Sequence, residues 1–337
     1  MNDQNQKIFL ITGGGGYLGS ITTALLLQRG YQVRIIDRFF WGEEILDPLP
    51  KENLTLINAD TRTYPKEHLK DVYAVFDLAG FSSDAIGELD PHATLAVNYQ
   101  ARVRTATLAK QMGVSKYLLA STCSVYGAQE GIMDETTSPK PMSTYGKAAV
   151  MAEQEILPLA TADFTPVALR YGSLYGPSRR MRFDLVVNQM VLSIFADKKV
   201  VVQGSEKWRP LSHVTDIAQM YLDIAQSDRE QIAGEIFNVG NTSHNYQIKN
   251  IAQMLQQTLD PKAEILTNND SDARSFRVSF DKLKNKLGLE TTKTPAEGGK
   301  EIYDLLTAQK LSPTPETNTL QWYQHLLAKN PKILQQI

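Results

Sequence analysis

From Lys7 to Asp37 the chain runs KIFLITGGGGYLGSITTALLLQRGYQVRIID, and this stretch constrains the fold more than any other. Four apolar residues, Ile8 to Ile11, are short enough to be a strand buried on both faces. Four consecutive glycines, Gly13 to Gly16, and then Gly19 precede an apolar, helix-favouring run to Gln28. Gly30 can end that helix with positive φ, and Tyr31 to Ile36 reads as a second strand with Asp37 at its end. Glycines let the backbone turn tightly and let a pyrophosphate approach the amides, while the helix N-terminus supplies free N–H groups and a positive dipole end. Asp37 stands 18 residues beyond Gly19, where a carboxylate can accept hydrogen bonds from a ribose diol. The spacing Gly13-x-x-Gly16-x-x-Gly19 differs from the commoner GxGxxG, and Gly14 and Gly15 permit several alignments. A glycine-rich turn alone occurs without any ligand. With strand, helix, second strand and acid all present, dinucleotide binding outweighs a structural turn. Asp37 also favours NAD over NADP because it would repel a 2′-phosphate, a preference that Arg38 moderates.

The chain has 337 residues, enough for a large core or two lobes. With 35 basic against 37 acidic residues and a net charge of −2, it offers no electrostatic footprint for nucleic acid or an anionic membrane. The single cysteine, Cys123, leaves no partner for a disulfide or a cysteine-rich zinc site and suits a reducing compartment. The polar MNDQNQK leads directly into the first strand, which reads as no signal peptide, and no apolar run approaches the roughly 20 residues that span a bilayer. The expectation is a soluble, cytoplasmic protein.

Further strands are predicted at Leu54–Ile57, Val72–Ala79, Lys116–Ala120 and Thr165–Arg170, with helices within Leu89–Met112 and at Ser143–Leu157. Such alternation predicts a doubly wound parallel α/β sheet covered on both faces. Beyond Gly176-Pro177 the rhythm breaks into a helix (Leu185–Ala196), a strand-like Lys199–Val202, a late strand at Ile236–Gly240, a helix at Ile248–Leu259 and C-terminal helices. The expected division is a dinucleotide-binding domain of residues 1–174 joined by roughly 212–240, and a smaller α+β substrate lobe of 175–211 and 241–337. Phe39, Phe40 and Trp41 read mainly as core, with one of them a candidate wall of the adenosine pocket.

Strand five ends in Ser121-Thr122-Cys123-Ser124-Val125-Tyr126-Gly127, and the next helix opens Ser143-Thr144-Tyr145-Gly146-Lys147, with Glu153 eight residues after the tyrosine. Hydroxyls at a strand end more often satisfy local backbone groups than do chemistry. A tyrosine at a helix start is usually packing. Together with the glycine loop, however, these segments resemble the extended short-chain dehydrogenase/reductases of the NAD-dependent epimerase/dehydratase family, which act on nucleotide sugars. The resemblance covers nearly the whole chain: TGGGGYLG, Asp60-Thr61-Arg62, Asp77-Leu78-Ala79-Gly80, Asn98, STCSVYG, the Tyr145 helix, LRYGSLYGP (169–177), WRPLSHVTD (208–216), FNVG (237–240) and ARSFRVSFDKLKNKLG (273–288).

The resemblance implies a Rossmann-type fold with NAD bound by Gly13, Gly16, Tyr17, Leu18 and Gly19 at the pyrophosphate and by Asp37 and Arg38 at the adenosine ribose. Asp60 and Thr61 would lie on the adenine side, with Leu78, Ala79, Gly80, Asn98 and Tyr171 along the cofactor path. Tyr145 takes the position of the acid/base tyrosine and Thr122 that of the active-site hydroxyl. Ser82, Thr122, Ser124, Arg182, Asp184, Asn188, Arg209 and Arg274 become candidates for a nucleotide-diphosphate sugar, Arg209 at its diphosphate through bidentate geometry. A homodimer pairing the 95–112 and 145–157 helices is also implied. His213 and Asp216 read as a structural hydrogen-bonded pair, and five scattered histidines suggest no metal site.

At one place the chain departs from the family pattern. A lysine one turn after the tyrosine should help a phenol of ordinary pKa near 10 to ionise, but position 149 is Ala149. Lys147, two residues from Tyr145, points to roughly the opposite side of a helix. Ala149 reads as an engineered substitution, which the intact motif around it favours, as a natural member whose tyrosine is activated otherwise, or as a member that has lost activity. Either way the chain is expected to bind cofactor and turn over slowly. The Asp-Glu pair of the family's 4,6-dehydratases is replaced by Cys123 and Ser124, and the glutamate of its sugar-acid decarboxylases is absent as well. Epimerisation through transient oxidation of a sugar hydroxyl is therefore the leading reading, with keto-sugar reduction or an unusual dehydration as alternatives. Cys123 reads as a buried thiol before an unusual acid. A catalytically silent NAD-binding protein is the reading from another class, and Ala149 is its only support.

Overall fold

The computed structural model describes residues 7–268 and 275–336. Seven strands form one parallel sheet: β1 (Ile8–Thr12), β2 (Gln32–Asp37), β3 (Leu54–Asn58), β4 (Val72–Asp77), β5 (Lys116–Thr122), β6 (Thr165–Tyr171) and β7 (Ile236–Val239). Their order is β7-β6-β5-β4-β1-β2-β3, so the sheet reverses direction of growth between β1 and β4. Ligands of doubly wound sheets bind in the crevice at such a switch point. The predicted strands are all present, and only the ends move: Val72–Ala79 stops at Asp77, which leaves Ala79 and Gly80 in the crevice loop.

The crevice is held by side chains as well as by register. Thr12 lies opposite Asp77, its hydroxyl donates to Asp77 Oδ1 at 2.5 Å, and the Ala79 amide donates back to Thr12 Oγ1 at 3.1 Å. Helix α1 (Tyr17–Gln28) follows the glycine loop and packs on α4 (Val214–Gln226). Two further helices flank β5: α2 (Arg102–Gln111) before it and α3 (Thr144–Ile156) after it. The predicted helix of Leu89–Met112 is divided. Residues Pro91–Leu95 are α-helical, Ala96–Ala101 form a π turn, and α2 continues. Turns of this kind insert one residue and re-aim a side chain. Here that side chain is Asn98, whose amide accepts from the Phe81 N–H and donates to the Phe81 carbonyl, both at 2.9 Å.

The later part of the chain adds small sheets above the strand ends: Ser173–Tyr175 with Trp208–His213 and Asn245–Gln247, Lys199–Gln203 with Glu264–Asn268, and Ile132–Met133 with Arg277–Val278. One apolar cluster runs from Phe9 and Ile35 through Val191 and Ile217 to Leu255 and Ile302, so sheet and added elements share a core. Residues 316–336, including α5 (Thr319–Lys329), lie against the loops after β2 and β4. Tyr323 and Leu334 pack with Phe81, Phe40 and Trp41. The Trp41 indole donates to the Glu316 carbonyl at 3.0 Å, Trp322 to Phe40 at 2.8 Å, and the Arg62 guanidinium to the Gln336 carbonyl at 2.7 Å.

Candidate active site

One cavity lies along the carboxyl ends of β1, β2, β4, β5 and β6, and its wall contains most of the residues singled out in the sequence. Gly13, Gly16, Tyr17, Leu18, Gly19, Asp37, Arg38, Asp60, Thr61, Leu78, Ala79 and Gly80 line one part. Ser82, Thr122, Cys123, Ser124, Tyr145, Tyr171 and Arg182 line the rest.

At the dinucleotide end the glycines are sterically required. Gly13 has φ +73°, and a Cβ there would come within 2.8 Å of Ala79 Cα. A Cβ on Gly19 would lie 2.1 Å from the Gly13 carbonyl. Gly16 is the N-cap of α1 without a side-chain cap, so the first-turn amides are left for a ligand. Asp37 accepts from the Gly15 amide at 2.9 Å and the Phe39 amide at 2.8 Å, which fixes its carboxylate at the end of β2. Burial pushes that carboxyl above its ordinary value, against the pull of those two amides. Asp60 is held by Arg62 at 2.7 Å and Arg38 at 3.3 Å. A close backbone approach, an uncapped helix end and a pinned carboxylate fit a dinucleotide.

At the chemical end, Ser143 caps α3 by accepting from the Gly146 amide at 3.1 Å, and its hydroxyl bonds Asp84. This seats Tyr145 in the first turn, lining the cavity together with Thr122. Burial raises the phenol above its ordinary value, Asp84 adds to the rise, and Thr122, Arg102 and Arg182 pull it down. Arg102 is 6% exposed and has no carboxylate within ion-pairing distance among the described residues. Its guanidinium donates to the Ala120 carbonyl at 2.8 Å and the Ala79 carbonyl at 3.0 Å, directly behind Gly80.

Ala149 is buried in an apolar cluster with Cys123, Val125, Tyr126, Met133, Phe276, Val278 and Phe280. Lys147 is exposed, as its place on the helix predicts. Cys123 is also in that cluster. Its Sγ lies 3.6 Å from the Arg170 carbonyl, and burial pushes the thiol far above its ordinary value.

Asn188, Asn98, Asp184 and Arg209 sit outside the cavity wall, whereas Arg182 lines it. Asn188 is fully buried, with its amide donating to Tyr17 Oη at 3.1 Å and the Arg182 carbonyl at 2.8 Å while accepting from Gly176 N. Asn98 acts on the Phe81 backbone behind the wall. Arg182 forms a two-point pair with Asp184 at 2.6 and 3.1 Å and donates to Ser82 at 2.9 Å. Arg209 stands on the strand Trp208–His213 and is absent from the cavity wall. Arg274 lies outside the described residues. His213 and Asp216 do not pair with each other: His213 meets Thr215 and Glu301, whereas Asp216 accepts from the Thr292 and Lys293 amides. The charged helix end at Asp216 is satisfied by backbone, which spacing in sequence does not show.

Three features at or beside the cavity are not legible in the sequence. Arg102 stands one turn after Asn98 on the same helix face, and that i, i+4 relation was its only signal. Arg170 and Glu153 form a buried pair at 2.5 Å, joined by Ser121 and Tyr126. Arg180 and Tyr323 line the dinucleotide end of the cavity from far along the chain.

No helix among the described residues is long and apolar enough to cross a membrane, and no group of three or more potential ligands among them could hold a metal. UDP-glucuronic acid decarboxylase 1 of Xenopus tropicalis is 26% identical over 311 residues, 89% of this chain and 72% of that protein. UDP-glucose 4-epimerase of Corynebacterium glutamicum is 24% identical over 305 residues, covering 83% and 89% respectively. Among solved structures, MoeE5 in complex with UDP-glucuronic acid and NAD superposes with a TM-score of 0.78 at 25% identity, covering 90% of this chain and 99% of that one. The fold is also shared with the UDP-N-acetylglucosamine 4-epimerase of Methanobrevibacter ruminantium M1, at a TM-score of 0.81, 22% identity and coverage of 90% and 99%. The family model for the NAD dependent epimerase/dehydratase family matches residues 9–240, and the chain belongs to that NAD-dependent family.

Proposed function

We propose that this protein epimerises a nucleotide-diphosphate sugar by transient oxidation of a ring hydroxyl, and that it does so slowly. NAD, when bound, supplies the hydride acceptor and donor. The observation that carries the reading is the Tyr145–Thr122 pair, set in the same cavity wall as the glycine loop and Asp37. Tyr145 takes the proton of the sugar hydroxyl as that carbon is oxidised and returns it on reduction, while Thr122 orients the phenol. Ser82, Ser124 and Arg182 are polar groups of the cavity wall proposed to hold the sugar and its diphosphate. At the end of β5 there is no carboxylate, and the Cys123 thiol stays protonated, so elimination or decarboxylation lacks its proton-transfer group there.

Slow turnover follows from burial of a phenol with no lysine beside it. Thr122, Arg102 and Arg182 favour its ionised form. The apolar seat of Ala149 supports a natural member activated in this way over an engineered one. Under that reading Ala149→Lys introduces a charge among Phe276, Phe280 and Cys123, and gives no gain in rate. A homodimer through the 95–112 and 145–157 helices belongs to the same reading and is tested by light scattering.

The deciding experiment offers UDP-, GDP-, CDP- and dTDP-sugars to the purified chain in deuterium oxide and follows products by NMR. An epimer free of solvent deuterium, with NAD still on the protein, supports the proposal. Net consumption of NADH assigns a reductase instead. Firm NAD binding with no product from any sugar leaves the silent NAD-binding protein.

A further inference from the structure

The cavity contains a cation that neither the acid/base chemistry nor the adenosine contacts use. Arg180 is 5% exposed, and its Nε and Nη2 have no hydrogen-bond partner. No carboxylate lies within ion-pairing distance of it among the described residues: Asp184 is taken by Arg182, and Asp37 by two backbone amides. A buried charge without a partner is strongly unfavourable, so a guanidinium kept in this state points to a ligand that completes it.

Its surroundings fix it in place. The guanidinium lies over the Trp41 ring at 3.9 Å, and that indole is itself held by the Glu316 carbonyl and by edge contact with Tyr323 at 5.2 Å. The segment that carries Arg180 is tied to the first turn of α1 at two points. Tyr17 Oη donates to the Gly176 carbonyl at 2.6 Å, and Ser178 Oγ donates to the Tyr17 carbonyl at 2.7 Å. Arg180 thus shares the cavity wall with Gly13, Gly16 and the first turn of α1, and its charge is felt at both Tyr17 and Asp37. The same cavity therefore holds the uncapped amides of α1 and the unpartnered N–H groups of Arg180, both donors suited to an anion.

We propose that Arg180 is a diphosphate ligand, completing the glycine-loop anion site and holding the pyrophosphate of the bound dinucleotide. The assignment rests on NAD occupying this cavity. It gives the residue 316–336 segment a functional task, because that segment positions Trp41 and Trp41 positions the guanidinium. A sugar-nucleotide diphosphate has the same chemistry, and the test separates the two sources.

The experiment is calorimetric titration of the full chain, stripped of cofactor, with NAD, ADP, adenosine and UDP. Wild type is compared with Arg180→Met and Arg180→Lys. Charge-assisted hydrogen bonds of this kind predict an affinity loss of about ten- to a hundredfold for NAD and ADP in Arg180→Met. Adenosine and UDP binding stay unchanged, and Arg180→Lys recovers part of the loss. NAD affinity of the wild type also falls more steeply with salt than that of Arg180→Met. Should Arg180→Met fail to fold, Arg180→Lys decides: a partial loss for NAD and ADP with adenosine and UDP unchanged supports the assignment, and unchanged affinity for all four overturns it. Loss confined to UDP overturns the assignment in favour of the substrate's diphosphate. Equal loss for adenosine makes Arg180 a prop of the adenine pocket, and no loss with any ligand removes it from binding altogether. Failure of the wild type to bind NAD would strike the underlying cofactor reading rather than Arg180.

Discussion

Tyr145 is subject to opposing influences. Burial and Asp84 favour the neutral phenol, while Thr122 and the guanidinium of Arg102 favour the phenolate. Removing the Arg102 charge with Arg102→Met therefore moves the ionisation of Tyr145 further up, so the rate falls near neutrality and recovers as pH rises. Arg102→Lys retains part of the wild-type profile. A pH–rate comparison checks this, and identical profiles for wild type and Arg102→Met would remove Arg102 from the account. Tyr145 and Thr122 were legible in the sequence because each sits beside a residue that announces a strand end or a helix start. Arg102 was not, because its effect crosses from a helix to the ends of β4 and β5 through two backbone carbonyls. The burial of the Cys123 thiol agrees with the preference of a lone cysteine for the core. The hydroxyl and amide candidates divided on a single criterion: Ser82 and Ser124 reach the cavity, whereas Asn98 and Asn188 spend their amides on backbone and neighbouring side chains.

At the scale of elements, α3 carries Tyr145, and the proposed chemistry needs that helix at a fixed angle to the sheet. Its first turn is set by the Ser143 cap and its middle by Glu153, which pairs at two points with Arg170 of β6 and accepts from Ser121 of β5. Both members of the pair are under 5% exposed in their side chains. Removing one member leaves an uncompensated buried charge, so Glu153→Ala is expected to cost about 3–5 kcal/mol in denaturant unfolding. A cost below about 1 kcal/mol would show that the pair does not hold the helix. The strands were easy to find from sequence because each is a continuous apolar run between polar or glycine-rich breaks. The π turn at Ala96–Ala101 was not. Nothing in its apolar spacing differs from an α-helix, and the inserted residue answers a demand from the Phe81 loop made by tertiary structure. The C-terminal helices were anticipated only as helices. Their contact with Trp41 depends on aromatic packing between residues far apart in sequence, which periodicity cannot report.

For the whole molecule, one core joins the sheet to the elements above it, and many of the 14 tyrosines are buried in or beside that core. Burial raises the phenols of Tyr17, Tyr126, Tyr175 and Tyr323, and pushes Tyr64 up to about 12. Unfolded phenols titrate near 10. Stability from keeping these groups neutral is thus complete below about pH 10 and is lost as pH rises through about 12 at Tyr64. Tyrosinate absorbance followed together with far-ultraviolet circular dichroism should show the buried phenols ionising only as the fold is lost, and smooth titration of all phenols in a folded chain would contradict this. The contact between Trp41 and Glu316 spans 275 residues, and that separation bears on the order of assembly. Loop closure over such a distance opposes early formation, so the sheet and glycine loop can order before the Trp41 shelf is complete. In refolding from denaturant, recovery of helical signal should precede recovery of cofactor-dependent fluorescence quenching. Free NAD, which binds only the finished form, should deepen the final state without hastening the first phase.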